Sequence, residues 1–383
     1  MRKRIGLFLI LTILMSLAMS YTAMGQDVDY EQVIEKAKVL SVQPTSGDTD
    51  LDILGSDFFQ ETMIVTVEIL SGEYKGRQVE TVHALTGDIG YDVPVEAGNN
   101  VLVAIDERGG NEIDAHIAEY AREGYIKIVL AIFVALLLII GGLKGLKTLL
   151  TLALTVGLIL KVLLPGLLAG YSPILLTVGI SIVITVITIT VVGGLNRKSL
   201  AAIIGVFCSV LVSGIIAYVV GTNARLTGLS SQEAMMLMYI PQEVEFNFNG
   251  LLFAGIIMGA LGAIMDVGMS IASAIEEVRS ANPTLTTKEL VLSGMNVGKD
   301  IMGTMANTLI LAYAGSTIPL LLLFTAYQES LMSIINMDLI ATEIIRALAG
   351  SIGLVLCVPI TAVLTGLLIN KNKAKDKINA DVE

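Results

Sequence analysis

The chain has 383 residues, of which 54% are hydrophobic and 15% charged, with a formal net charge of −11 and a mean hydropathy of +0.78. Soluble domains carry about 25% charged residues, so this composition excludes an ordinary soluble protein and predicts a mostly α-helical membrane protein. The acidic balance also excludes nucleic acid as a partner. The partners left open are the lipid bilayer, another envelope protein and a second copy of the chain.

The first 25 residues have the pattern of an export signal. Three basic residues follow Met1, an apolar run extends from Ile5 to about Ala18, and small residues precede Gln26. This order predicts a signal peptide at 1–25. An uncleaved anchor is the alternative, because about 14 apolar residues are few for a membrane span. Either way, the segment that follows is expected outside a bacterial cell membrane.

Residues 26–111 are expected to form an acidic, β-rich extracytoplasmic domain. Residues 26 to 124 hold 21 acidic and 6 basic side chains. Turn residues separate short β-branched runs in this segment, which favours a small β-barrel or sandwich, and an OB-like barrel is the expected fold. The predicted strands are Val39 to Val42, Met63 to Leu70, Arg77 to Ala84 and Val101 to Ile105. Residues 112–124 are predicted to be a helical tether.

The outer domain offers no complete metal site. Its two histidines, His83 and His116, have too few candidate co-ligands, and each is expected at the surface. A run of aspartates lacks the distal bidentate glutamate of a calcium loop; its members are Asp48, Asp50, Asp52 and Asp57. We therefore expect neither a bound metal nor a cofactor.

The remaining chain predicts seven transmembrane helices within 125–369, followed by a basic cytoplasmic tail at 370–383. Each span is long enough for a hydrocarbon core of about 30 Å. The spans are predicted at 125–143, 148–169, 172–194, 199–221, 250–275, 301–325 and 343–369. Segments 229–248 and 327–341 mix apolar and acidic residues, which is typical of interfacial or re-entrant pieces.

Basic residues identify the cytoplasmic side. With the outer domain exported, eleven lysines and arginines fall on inside loops and the tail, whereas the outside loops hold only Arg225. This distribution agrees with the positive-inside rule. The C-terminus is therefore predicted to be cytoplasmic.

Two stretches of the membrane half resemble the YibE/YibF-like family of bacterial multi-pass membrane proteins. They read MGALGAIMDVGMSIAS at 258–273, and NTLILAYAG at 307–315 followed by PLLLL at 319–323. The resemblance covers roughly residues 125–369 and implies the order of export signal, β-rich domain and helices. It implies no biochemical activity.

Residues 255–325 also resemble, more weakly, a helix pair of proton-driven RND and SecD/SecF-type permeases. The likeness consists of a small-residue helix with a buried aspartate, a basic linker, and a second helix with polar residues. It implies transport driven by protons. The outer domain here is much smaller than in those permeases.

Asp266 is the main candidate for function because it lies about 15 Å, or ten helical residues, inside the fifth span. Small and polar residues share its helix face and predict packing against protein rather than lipid. The packing candidates are Gly255, Gly259 and Gly262, and the polar ones are Ser270 and Ser273. Asp266 is either a proton or cation relay or a neutral packing residue.

Further polar residues lie within the predicted spans. Lys161 either pairs with Asp266 or extends toward the outer surface. Thr304, Asn307 and Thr308 either solvate Asp266 or join neighbouring helices. Glu343 and Arg346 are spaced so that a same-face pair is possible at the outer start of the last span, but an interfacial anchor is the favoured interpretation.

Catalytic motifs such as G-x-S-x-G, H-E-x-x-H and the Walker A loop are missing from the sequence. The chain is therefore not expected to be an enzyme. The leading hypothesis is a secondary transporter or permease-like component for an ion or small solute. The alternative is a non-transporting envelope scaffold or accessory subunit that binds a partner through its outer domain.

Overall fold

A computed structural model describes residues 33–44, 61–88, 90–107, 113–240 and 244–380, with side chains as far as Ile369. The chain divides into two compact units, Met1–Leu136 and Leu137–Glu383. The predicted signal peptide and the aspartate run at 48–57 lie outside the described residues.

The first unit contains a five-stranded antiparallel sheet. Its strands are β1 Val33–Pro44, β2 Glu61–Ile69, β3 Gln78–Leu85, β4 Asn100–Glu107 and β5 Ile113–Tyr120. Their order in the sheet is β3-β2-β1-β4-β5, and the two edge strands, β3 and β5, contact each other. The sheet therefore forms a half-barrel, and the four strands predicted from the sequence are confirmed.

Alternation along the strands builds the core of the half-barrel. Val65, Val67 and Ile69 on β2 are fully buried, whereas the residues between them are half-buried. Val67 lies opposite Val39 of β1 in the register, and both side chains belong to one apolar cluster. Strand residues alternate between the two faces of a sheet, so this spacing places one face of β2 in the core.

The predicted helical tether at 112–124 is wrong, because residues 113–120 form β5. This strand pairs with β4, and Ala115 lies opposite Ile105. Alanine and glutamate in the segment favour a helix in isolation. Burial of Ala115 against the sheet outweighs that preference.

The second unit is helical, and its first helix begins in the sheet unit. The helices are α1 Glu123–Leu158, α2 Leu164–Leu168, α3 Pro173–Gly193, α4 Arg197–Asn223, α5 Gln232–Met236, α6 Phe248–Ala281, α7 Thr287–Ser316, α8 Ile318–Ala326, α9 Leu331–Asn336 and α10 Asp338–Ala380. A π-helical turn, Ile159–Leu163, joins α1 to α2. The short helices α5 and α9 lie in the two segments predicted to be interfacial.

Five helices of the described chain are long and apolar enough to cross a membrane, and α7 with α8 forms a sixth candidate bent by 60°. The predicted count of seven is not reached, because spans 125–143 and 148–169 share the single run Glu123–Leu168. This run is interrupted at Gly142, whose φ of 52° and ψ of −129° are not helical.

Helices α3, α4, α6, α7 and α10 pack together, and α6 contacts the other four. Small residues allow the close approaches. A Cβ atom at Gly268 of α6 would lie 2.7 Å from Val206 of α4, and one at Gly298 of α7 would lie 2.2 Å from Val358 of α10. Glycine at these positions therefore sets the spacing between the helices.

Candidate functional site

The central helix α6 carries a stripe of small residues that ends at Asp266. Gly255, Gly259, Gly262 and Asp266 are spaced by three and four residues, so they lie on one face. All four are exposed, whereas residues on the opposite face of the helix, such as Ile264, are buried. Ser270 and Ser273 continue the stripe and are half-buried.

Helices α3 and α7 flank this stripe. On one side, a Cβ atom at Gly193 of α3 would lie 2.3 Å from the methyl carbon of Met269. On the other side, the Tyr313 hydroxyl of α7 would lie 2.4 Å from a Cβ atom at Gly259. We call the resulting depression, floored by Gly255, Gly259, Gly262 and Asp266, the α6 groove.

The α6 groove is open in the described chain. Cβ atoms at Gly255 and Gly262 would meet nothing within 4 Å. The sequence predicted that this face packs against protein, but the described chain does not supply the packing partner. None of the helices that the structure describes therefore approaches α6 closely enough to need these two glycines.

Asp266 lies deep along its helix. It is ten residues, or about 15 Å, from Glu276, whose carboxylate pairs with Lys198 at 2.5 Å. Within the part of the chain that the structure describes, the Asp266 carboxylate forms neither a hydrogen bond nor an ion pair. An ionisable side chain at such a depth is a candidate for function.

A polar cluster lies at the other end of the groove, near Gly259. Arg346 pairs with Glu343 at 2.8 Å, as their spacing permits, and its guanidinium lies 5.8 Å from the centre of the Tyr313 ring. Glu343 Oε2 and Arg346 Nε are buried and have no hydrogen-bond partner among the described residues. Nothing in the local sequence pattern around Tyr313 indicates that its side chain lies beside Gly259.

Lys161 does not pair with Asp266, since no salt bridge joins the two among the described residues. Lys161 lies in the π-helical turn Ile159–Leu163 and is exposed. The alternative of a Lys161–Asp266 pair within the chain is therefore not observed.

The polar residues of α7 form no hydrogen bond with Asp266 in the described part of the chain either. The Thr304 hydroxyl donates to the Ile301 carbonyl at 2.9 Å, and the Thr308 hydroxyl donates to the Thr304 carbonyl at 2.8 Å. Thr304, Asn307 and Thr308 are all exposed. The two hydroxyl protons are used within α7, so they do not solvate the carboxylate.

The two histidines of the sheet domain have different polar neighbours. His83 Nε2 lies 2.9 Å from the Val93 carbonyl oxygen, and His116 Nε2 lies 3.7 Å from Asp114 and 3.9 Å from Asp106. Over the described ranges, no group of three or more histidine, cysteine or acidic side chains could hold a metal ion.

A half-barrel sheet domain followed by a bundle of long apolar helices defines a multi-helix protein whose helices are compatible with a membrane. The model of the YibE/F-like protein family matches residues 129–371, and that of the YibE/F family N-terminal domain matches residues 30–120. The chain belongs to the YibE/F-like family. Comparison with curated proteins and with solved structures gives no match.

Proposed function

We propose that this YibE/F-like protein is a secondary transporter or permease-like component of the bacterial cell membrane, and that Asp266 relays a proton or small cation. The observation that carries the proposal is the open α6 groove, with a deep carboxyl group in its floor that has no hydrogen-bond or ion-pair partner among the described residues. The sheet domain, an OB-like barrel in this proposal, lies outside, and the C-terminus is cytoplasmic.

Seven spans follow if the run Glu123–Leu168 crosses the membrane twice. A straight helix of 46 residues would be about 69 Å long, more than twice the hydrocarbon thickness of about 30 Å. Gly142 divides the run into arms of about 19 and 26 residues. Each arm is long enough to cross a bilayer.

A relay role fits the position of Asp266. A carboxylate facing hydrocarbon is costly, by about 2.5–3.5 kcal/mol on insertion scales, so an open face with this residue favours contact with water or with a transported ion. Seven residues, or about 10 Å, separate Asp266 from Gly259 beside Tyr313. The cluster of Tyr313, Glu343 and Arg346 would stand at the outer end of the groove.

Proton flux into liposomes tests this role. Purified protein is reconstituted, a potassium diffusion potential is imposed, and internal pH is followed with a fluorescent dye. We expect flux with the wild type and with Asp266→Glu, and loss of at least tenfold with Asp266→Asn, because the amide carries no exchangeable acidic proton. Asp300→Asn, outside the groove, serves as the matched control and should keep the flux.

Two results would contradict the proton relay. One is the absence of protein-dependent proton flux in liposomes with the wild-type protein. The other is equal proton flux with the wild type and with Asp266→Asn. Size-exclusion profiles of all variants establish that each is folded.

The alternative function is a non-transporting scaffold or accessory subunit that binds an envelope partner through the sheet domain. Exposed apolar side chains on the strands favour it, including Ile34 at 58% and Val82 at 50% exposure. Under this alternative, Asp266→Asn leaves binding of the envelope partner unchanged, whereas Ile34→Asp and Val82→Asp abolish this binding. No enzymatic role is proposed.

A further inference from the structure

A buried ion pair lies near the start of α10, and two of its polar atoms have no hydrogen-bond partner in the described chain. Arg346 Nη1 pairs with Glu343 Oε1 at 2.8 Å, and the two side chains are 28% and 16% exposed. The atoms without a partner are Glu343 Oε2 and Arg346 Nε, which are both buried. A buried polar atom without a hydrogen bond is costly. Such an atom therefore calls for a functional role or for a partner such as water.

This ion pair packs beside the floor of the α6 groove. The Arg346 guanidinium lies 5.8 Å from the centre of the Tyr313 ring on α7. The Tyr313 hydroxyl in turn lies so close to Gly259 of α6 that a Cβ atom there would overlap it. One turn further along α10, a Cβ atom at Gly350 would lie 3.4 Å from Ala260 of α6. Tyr313 therefore connects the ion pair to the groove.

The free oxygen of Glu343 can bind a proton without loss of the bond to Arg346. Oε1 accepts that bond, and Oε2 accepts none from the described residues. A carboxylate only accepts hydrogen bonds, whereas a protonated carboxyl group keeps acceptor capacity and gains a donor. Helix α10 begins at Asp338, five residues or about 7 Å before Glu343. In the proposed orientation, Glu343 therefore lies near the outer surface.

We propose that Glu343 is a second proton-binding group of the relay, on the outer side of Asp266. This inference rests on the proposed function. A proton from the outer solution binds Glu343 Oε2 and forms the neutral acid. The acid becomes a carboxylate again when its proton passes to water in the α6 groove, and this water delivers a proton to the Asp266 carboxylate. Arg346 positions Glu343 by holding Oε1.

Proton flux in the liposome assay tests this role. Glu343→Gln keeps an acceptor oxygen for Arg346 but has no acidic proton, so we expect flux to fall by about tenfold or more. Glu343→Asp keeps the carboxyl group and should retain part of the flux, with the wild-type dependence on external pH. Glu329→Gln is the matched control, because Glu329 is exposed and also predicted on the outer side. Its flux should equal that of the wild type.

Two flux results would overturn this inference, and they separate it from the proposed function. Wild-type flux with Glu343→Gln, together with loss of flux with Asp266→Asn, would remove Glu343 from the relay and leave the role of Asp266 intact. No protein-dependent flux with the wild type would overturn both. Size-exclusion profiles establish that each variant is folded.

Carbodiimide labelling of the wild-type protein tests proton binding without any substitution. Dicyclohexylcarbodiimide adds to a protonated carboxyl group: the acid proton moves to a carbodiimide nitrogen, and a carboxyl oxygen bonds to the central carbon. The adduct rearranges to a stable N-acylurea, which peptide mass spectrometry locates in the sequence. In native membranes, we expect labelling of Glu343 that decreases as the pH is raised. An unlabelled Glu343, or labelling that does not change with pH, would contradict the proposal.

Discussion

The glycine at position 145 lies against the carbonyl of Leu137. A Cβ atom at Gly145 would come within 2.0 Å of the Leu137 oxygen, although eight residues of straight helix would separate the two by about 12 Å. The chain therefore turns sharply between them, at Gly142. Because this turn lies two residues before the predicted loop at 144–147 between the first two spans, it supports the proposal that Glu123–Leu168 forms two spans.

Replacing Gly142 by alanine should destabilise this turn. Its positive φ disfavours any residue with a Cβ atom, at a cost of about 1–3 kcal/mol. Gly141 is the matched control, since it is adjacent, its φ is not positive and a Cβ atom there would also meet nothing within 4 Å. We expect Gly142→Ala to lower the Tm in detergent and Gly141→Ala to leave the Tm unchanged. Equal Tm values would contradict the assigned role of Gly142.

Cysteine labelling should place Tyr171 outside the cell. Two spans in Glu123–Leu168 return the following turn to the side of the sheet domain, whereas a single span leaves it in the cytoplasm. In a background without Cys208 and Cys357, Tyr171→Cys should react with a membrane-impermeant maleimide on intact cells. Leu195→Cys, in the next turn and similarly exposed, should react only after lysis. The reverse pattern would exclude seven spans with the sheet domain outside.

Two glycines of α6 should respond differently to alanine. At Gly268 a Cβ atom would lie 2.7 Å from Val206 and 3.3 Å from Cys357, so Gly268→Ala should cost about 1–3 kcal/mol through overpacking. Gly262 faces the open groove, and Gly262→Ala should leave stability unchanged or raise it slightly, because alanine favours helix. Thermal unfolding in detergent measures both. A destabilised Gly262→Ala protein would show that the groove is filled.

The turn that holds Asp92 should make the sheet domain sensitive to acid. The Thr86 backbone N–H at 2.8 Å, followed by the Thr86 hydroxyl and the Gly87 N–H, donates to this carboxylate. These bonds hold the pKa of Asp92 below its ordinary value of 3.8. Because the pKa of Asp92 is lower in the folded state than in the unfolded state, the stabilisation from these bonds is complete above pH 3.8. It is lost as the pH falls through the lowered pKa of the folded state.

Asp92→Asn should therefore lower the Tm of a 26–124 fragment at pH 6, and the difference should shrink as the pH falls below 3.8. Circular dichroism of the two fragments across this range measures the effect. A difference that is the same at all pH values would indicate that the carboxylate charge is not involved.

The sequence by itself determined the membrane-compatible helices, four of the five strands, the position of Asp266 and the family. Periodicity and composition are local quantities, and runs such as Val101 to Ile105 or the apolar span of α6 are strong enough to fix their own conformation. The fifth strand was missed because its residues favour a helix unless β4 lies beside them.

Only the tertiary structure decided which faces of the helices are covered. The stripe from Gly255 to Asp266 predicts close packing. Whether a helix lies over the stripe depends on residues more than 40 positions away in the sequence, such as Gly193 and Tyr313. The same holds for Lys161, whose distance from Asp266 depends on the break at Gly142 and on the arrangement of the helices between them. Contacts between distant segments arise from the combined packing of many side chains, and no local pattern records that outcome.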